Sequence, residues 1–227
     1  EEGLPGLKSA RGHQYLADGQ AGFRRQRVDS LGNITKTAGI LALQGDFGLH
    51  AEALDRIGAH WRTVKHASEL DEVDGLIMPG GESTTMLKFL ATEGMEAPIR
   101  KFAASGKPIL GTCAGAILLA REVQGPAQES LGLLDITVER NAYGRQIDSS
   151  VRSGECPALA NHPIEMVFIR APIIRRTGHG VLVLGRAGGW PVLVEQQNLL
   201  AATFHPELTG DLTIHRYFLS KMDPSSR

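Results

Sequence analysis

The chain has 227 residues, 42% hydrophobic and 22% charged, which is enough for a substantial core and within the size of one domain. Its 24 Lys and Arg nearly balance 25 Asp and Glu at a net charge of -1, which argues against a nucleic-acid or anionic-lipid partner, and no run approaches the ~20 apolar residues of a membrane helix. Two cysteines, Cys113 and Cys156, are too few for a disulfide framework and lack metal-site spacing, so they fit a reducing, cytoplasmic setting.

Residues 1–36 carry Gly, Arg and polar side chains with no sustained apolar period, and read as a disordered extension. Glu1, Glu2, Asp18 and Asp29 weigh against a targeting segment there. A domain is expected over 37–222, followed by a short tail at 223–227. Within it, "AGILALQ" (38–44) reads as a buried strand, "FGLHAEALDRIGA" (47–59) as a helix and "WRTVK" (61–65) as a strand. "VDGLIMPGG" (73–81) is a strand running into a glycine turn. "STTMLKFLATEG" (83–94) and "APIRKFAASG" (97–106) are helical, with Gly94 and Gly106 as stops. "KPILGTCAGAILLA" (107–120) is strand, sharp turn, helix. The second half holds strand-like runs at 134–140, 164–172, 180–186, 191–197 and 199–207, then a helix over 210–222. Gly188 and Gly189 join two of those runs as a hairpin. The alternation predicts a three-layer, flavodoxin-like open α/β sheet, mostly parallel, with helices on both faces.

In such sheets chemistry gathers just beyond the carboxyl ends of the strands. "GTCAG" (111–115) has the G-x-nucleophile-x-G form of a strained elbow, and the helix that follows would favour a thiolate at Cys113. A small buried cysteine is the plain alternative. "FHPE" (204–207) supplies a base, His205, and an orienting carboxylate, Glu207, although a surface His-Pro turn reads equally well by itself. The other seven histidines, His50 and His215 among them, show neither a comparable strand-end context nor metal-ligand spacing. "PGGES" (79–83) offers backbone N–H groups to an oxyanion, with Ser83 as a cap for the next helix. "ERNAYGRQ" (139–146) and "FIRAP" (168–172) bring Arg140, Arg145 and Arg170 to loops, where they suit a carboxylate or simply face solvent.

Together, "ALQGDFGLH", "PGGESTTM", "GTCAGAILLA", "ERNAYGRQ", "FIRAP" and "FHPEL" resemble, in that order, the glutaminase subunits of pyridoxal 5'-phosphate synthase, a branch of the class I (triad) glutamine amidotransferases. The resemblance covers residues 38 to about 222. It implies Cys113 as nucleophile, His205 as base and acid, and Glu207 as the carboxylate that orients the imidazole. It implies L-glutamine held by Gly81, Glu82, Ser83, Arg140, Ile169 and Arg170. The oxyanion hole would come from the Gly80-Gly81 peptide and Ala114, with Gln44 close by. No cofactor and no metal are implied, and the protein partner is a separate synthase subunit that receives the ammonia. The departures from the pattern, the N-terminal extension and Asp46, leave that catalytic logic untouched. Two competing readings remain: a triad glutaminase serving another acceptor, such as the imidazole-forming branch of histidine synthesis, and a binding subunit whose triad is inert in isolation. Little activity alone and strong activation by the synthase are expected.

Overall fold

The computed structural model describes residues 36–140 and 149–223. Arg145, the tail from 224 onward and the extension up to residue 35 lie outside the described residues.

The first half winds strand and helix alternately. β1 (Thr37–Leu41) leads through α1 (Phe47–Ile57) to β2 (His60–Val64), and a 3-10 turn (Ala67–Glu72) leads to β3 (Gly75–Met78). Two helices, α2 (Ser83–Thr92) and α3 (Glu96–Ala104), precede β4 (Ile109–Thr112) and the short α4 (Ala114–Leu119). The second half is richer in strands: β5 (Ala120–Gln124), β6 (Leu134–Glu139), β7 (Ser149–Gly154), β8 (Ile164–Ile169), β9 (Ile173–Thr177), β10 (Leu182–Ala187), β11 (Trp190–Gln196) and β12 (Leu199–Ala202). A 3-10 turn (Pro206–Leu208) and α5 (Thr213–Ser220) follow.

The main sheet has seven strands in the order β10-β11-β12-β4-β3-β1-β2. The five from β12 to β2 are parallel, while β10 and β11 form the antiparallel hairpin expected at Gly188-Gly189. Strands buried on both faces need apolar residues on both, and successive side chains divide accordingly. Leu76 and Met78 of β3 join the core under α2, α3 and α4, whereas Ile77 joins the core under α1 and α5. This is the expected three-layer, mostly parallel arrangement. A three-stranded sheet β5-β6-β9 and a ribbon β7-β8 complete it.

Several local expectations are corrected. The helix read through to residue 120 ends at Leu119, and Ala120 opens β5. The strand read over 199–207 stops at Ala202, because His205 leaves the ladder to bridge Val167 of β8. Among the described residues no helix is long and apolar enough to cross a membrane.

Close approach fixes how α4 sits. A Cβ at Gly115 would lie 2.0 Å from the carbonyl oxygen of Met78, so this helix can press on β3 only because residue 115 has no side chain. That contact sets the height of Cys113, the residue just before the helix.

Candidate active site

Cys113 links β4 to α4 with φ 46° and ψ −101°, a conformation costly for a residue with a Cβ. Neighbours hold it there: its N–H donates to Ala202 O at 2.8 Å, and its carbonyl accepts from Ile117 N at 3.2 Å. Cys113 is 6% exposed, and its Sγ lies 3.8 Å from the carbonyl oxygen of Ile169. Arg170, the next residue, is also at positive φ, 45°, and exposed. Two non-glycine residues at positive φ thus flank this contact, Cys113 itself and the neighbour of Ile169.

β12 is the parallel neighbour of β4, so the chain leaving its carboxyl end arrives beside Cys113. His205 is anchored by its N–H to Val167 O at 2.8 Å, and its Nδ1 sits 2.7 Å from Glu207 Oε1. Both side chains are buried. Burial disfavours the imidazolium, but hydrogen bonding to Cys113 and to Glu207, reinforced by their charge, raises His205 to about 10. Glu207 keeps Nδ1 protonated, so the other ring nitrogen is left for the sulfur. Cys156 offers a contrast. It is buried and pushed up to about 11 by desolvation and the charge of Asp211, as befits an inert packing thiol.

The PGGES segment closes the site from β3. A Cβ on Gly80 would stand 2.3 Å from His205 Cε1, so the ring and this backbone are in direct contact. The Gly80 carbonyl accepts from Asp46 N at 3.3 Å, and Glu82 N donates to Gln44 Oε1 at 3.1 Å, which ties the segment to the loop after β1. The expected cap is corrected: Glu82, not Ser83, caps α2. Its carboxylate accepts from Thr84 N at 3.2 Å and Thr85 N at 2.7 Å, and from both threonine hydroxyls. Burial opposes its charge, but these hydrogen bonds prevail and hold Glu82 at about 2. Arg140 Nη2 lies 3.6 Å from Glu82 Oε1. Ser83, the first residue of α2, is buried and donates to Gln128 Oε1 at 2.9 Å. Ala114 is buried at the start of α4, and Gly81 would place a Cβ 2.5 Å from Gln44 Oε1.

Three features lay beyond the sequence reading. Asp46, exposed on the loop after β1, brings an oxygen within 4.8 Å of ligand atoms on His205 and Glu207, so these three are the residues that could share a cation among the described residues. The other two are His50 of α1 and His215 of α5, fully buried behind Glu207. His50 Nε2 lies 3.4 Å from Glu207 Oε2 and 3.2 Å from Thr112 Oγ1, and its Nδ1 lies 2.9 Å from His215 Nε2.

A buried thiol at a strained elbow, a carboxylate-oriented imidazole and a backbone turn against that imidazole suit acyl transfer through a thioester. The chain resembles proteins of known kind throughout this region. The "Pyridoxal 5'-phosphate synthase subunit PdxT" of Koribacter versatilis is 54% identical over 181 residues, covering 80% of this chain and 93% of that protein. The protein of the same name from Thermotoga sp. (strain RQ2) is 51% identical over 181 residues, covering 80% of this chain and 96% of its own length. A crystal structure of a glutamine amidotransferase superposes with a TM-score of 0.77 at 49% identity, covering 82% of this chain and 98% of the other. One family matches residues 40–223, a span that takes in the whole cluster from Gln44 to His215, and by that match the chain belongs to the SNO glutamine amidotransferase family.

Proposed function

We propose that this chain hydrolyses L-glutamine to L-glutamate and ammonia, and that the ammonia passes to a separate synthase subunit making pyridoxal 5'-phosphate. The family and the relatives named as subunits of that synthase support the substrate and the partner. The two free cysteines, both buried, accord with a cytoplasmic site of action. The observation that carries the chemistry is the placement of Cys113 at an elbow with φ 46°, against an imidazole whose Nδ1 is 2.7 Å from Glu207.

In this reading the Cys113 thiolate attacks the side-chain amide carbon of glutamine. Backbone N–H groups of the Gly80-Gly81 segment and of Ala114 receive the oxyanion. His205, held as imidazolium by the thiolate and Glu207, gives its proton to the departing nitrogen, which leaves as ammonia. A thioester to Cys113 remains. Water then enters, His205 takes its proton, and collapse of the second tetrahedral species expels the Cys113 thiolate, which releases glutamate and restores the thiolate–imidazolium pair. The Gly81-Glu82-Ser83 segment, Arg140, Ile169 and Arg170 form the glutamine-binding wall, Arg140 and Arg170 suiting its α-carboxylate. Since its carboxylate is engaged as a cap, Glu82 contributes by fixing the segment's backbone.

The test is conversion of glutamine to glutamate by the wild type and Cys113→Ala, each with and without the synthase subunit. Wild type with synthase should turn over, and Cys113→Ala should lose roughly 10⁴-fold or more in kcat. Ammonia release by Cys113→Ala would overturn the catalytic assignment. Full wild-type activity unchanged by added synthase would overturn the coupling to that partner.

A further inference from the structure

We propose that His50 is a positioning residue for Glu207 and that His215 sets its orientation, so that the triad continues inward as a buried chain from Cys113 through His205, Glu207 and His50 to His215. The inference rests on the triad reading above. Glu207 is buried and uses Oε1 on His205, which leaves Oε2 without a hydrogen bond of ordinary geometry. The donor facing Oε2 is His50 Nε2, at 3.4 Å. A carboxylate gripped at one oxygen can pivot about that contact, whereas one gripped at both cannot.

The protons on the chain can be assigned from its ends. Burial and the nearby His215 and His205 hold His50 far below the ordinary histidine range, and burial with the charge of Arg56 brings His215 to about 4. Each ring therefore carries one proton near neutral pH. At the 2.9 Å contact between His50 Nδ1 and His215 Nε2, one nitrogen donates and the other accepts. If His50 donated, its Nε2 lone pair would face the Glu207 carboxylate. His215 would then hold its proton on Nδ1, a buried atom with no partner. An orphaned N–H costs more than an idle lone pair, and a lone pair facing a carboxylate is repelled. The other arrangement avoids both. His215 Nε2–H donates to His50 Nδ1, His50 Nε2–H points to Glu207 Oε2 and Thr112 Oγ1, and His215 Nδ1 is a bare lone pair.

Charge explains why an imidazole suits this place. Glu207 must keep its full negative charge to stabilise the His205 imidazolium. A lysine or arginine behind it would hold the carboxylate equally firmly and weaken that stabilisation. An uncharged donor orients the carboxylate without competing. Thr112, the residue before Cys113, shares the same His50 nitrogen, so the alignment also extends to the strand that carries the nucleophile.

Two measurements test this. In the wild type, the ¹⁵N shifts of the His50 ring report its tautomer, and Nε2–H is expected. An Nδ1–H tautomer overturns the proposal without any variant having to fold. In the complex with the synthase subunit, His50→Leu should lower kcat about tenfold or more while KM for glutamine stays within twofold, as is typical when the partner of a catalytic group's own partner is removed. His50→Gln, whose amide N–H can take the place of Nε2–H, should recover most of the loss. A folded His50→Leu with wild-type kcat, or a His50→Gln as impaired as His50→Leu, overturns the proposal. Cys113→Ala run alongside separates the two readings: an active Cys113→Ala defeats the triad itself, whereas an inert one beside an unimpaired His50→Leu defeats only the extension.

Discussion

Gly80→Ala should disable the enzyme by displacing a ring it never bonds. The new methyl would sit 2.3 Å from His205 Cε1 and 2.9 Å from Nδ1, where ordinary contact begins at 3.4 Å. The ring must therefore retreat by roughly 1 Å. It cannot do so freely, because Nδ1 is held to Glu207 at 2.7 Å and the backbone N–H to Val167 at 2.8 Å. A misplacement of about 1 Å in a catalytic group costs on the order of 100-fold, equivalent to about 2.7 kcal/mol on the barrier. Gly80 does not have positive φ, so alanine brings no backbone strain of its own. Stability should fall by only about 1–3 kcal/mol, the usual range for an overpacked site. The assay is ammonia release in the presence of the synthase subunit, paired with urea unfolding to establish that the variant is folded. A folded Gly80→Ala with kcat within threefold of wild type would refute the idea that this backbone sets the position of the ring.

The remaining predictions concern charge and capping. In Cys113→Ala, histidine NMR should find His205 titrating below the wild-type value of about 10, since one of the two groups that raise it has gone; an unchanged titration would mean that the thiol and the ring do not interact. Glu82→Ala should destabilise the fold by about 1 kcal/mol through loss of the α2 cap, measured as a lower urea midpoint at unchanged slope. Because Glu82 is depressed from 4.5 to about 2, its contribution is full above the unfolded value and fades as pH falls towards 2, so wild type and variant should converge in acid. His215 is lowered from 6.5 to about 4, so the unfolded chain takes up a proton first as pH falls through that window. Stability should drop by up to about 3 kcal/mol between pH 6.5 and 4, and His215→Phe should lose that part of the slope; an equal slope in both proteins would contradict it.

The legible parts of this chain are those whose cause is local. Cys113 stands out because glycines flank it at a strand end, and "LIMPGG" announces both a buried strand and the turn after it. β7, with sequence "SSVRSG", alternates between exposed and half-buried positions and presents no apolar stripe by which to recognise it. β5 follows α4 with no glycine or proline between them, so nothing in the sequence marks Ala120 as the start of a strand and the helix reads through to it. Ser83 is the better helix cap by general preference, yet Glu82 wins because its longer side chain folds back onto two backbone N–H groups. His50 looks like an ordinary polar position on an amphipathic helix. Its buried partner, His215, lies 165 residues further along, and no short window of sequence contains both.

The order of the strands has a bearing on how the protein is made. β12 is inserted between β11 and β4, so the amide of Cys113 finds its acceptor, Ala202, only when a late segment is laid beside an early one. A growing chain exposes its thiol long before His205 has been synthesised. At that stage the Ala202 carbonyl that receives the Cys113 amide in the fold is also missing. Closing such a distant pairing is slow, because chain entropy must be lost before the contact repays it. Nucleophile and base are therefore brought together only when β12 lies beside β4, and a chain that ends before β12 has the thiol without the imidazole.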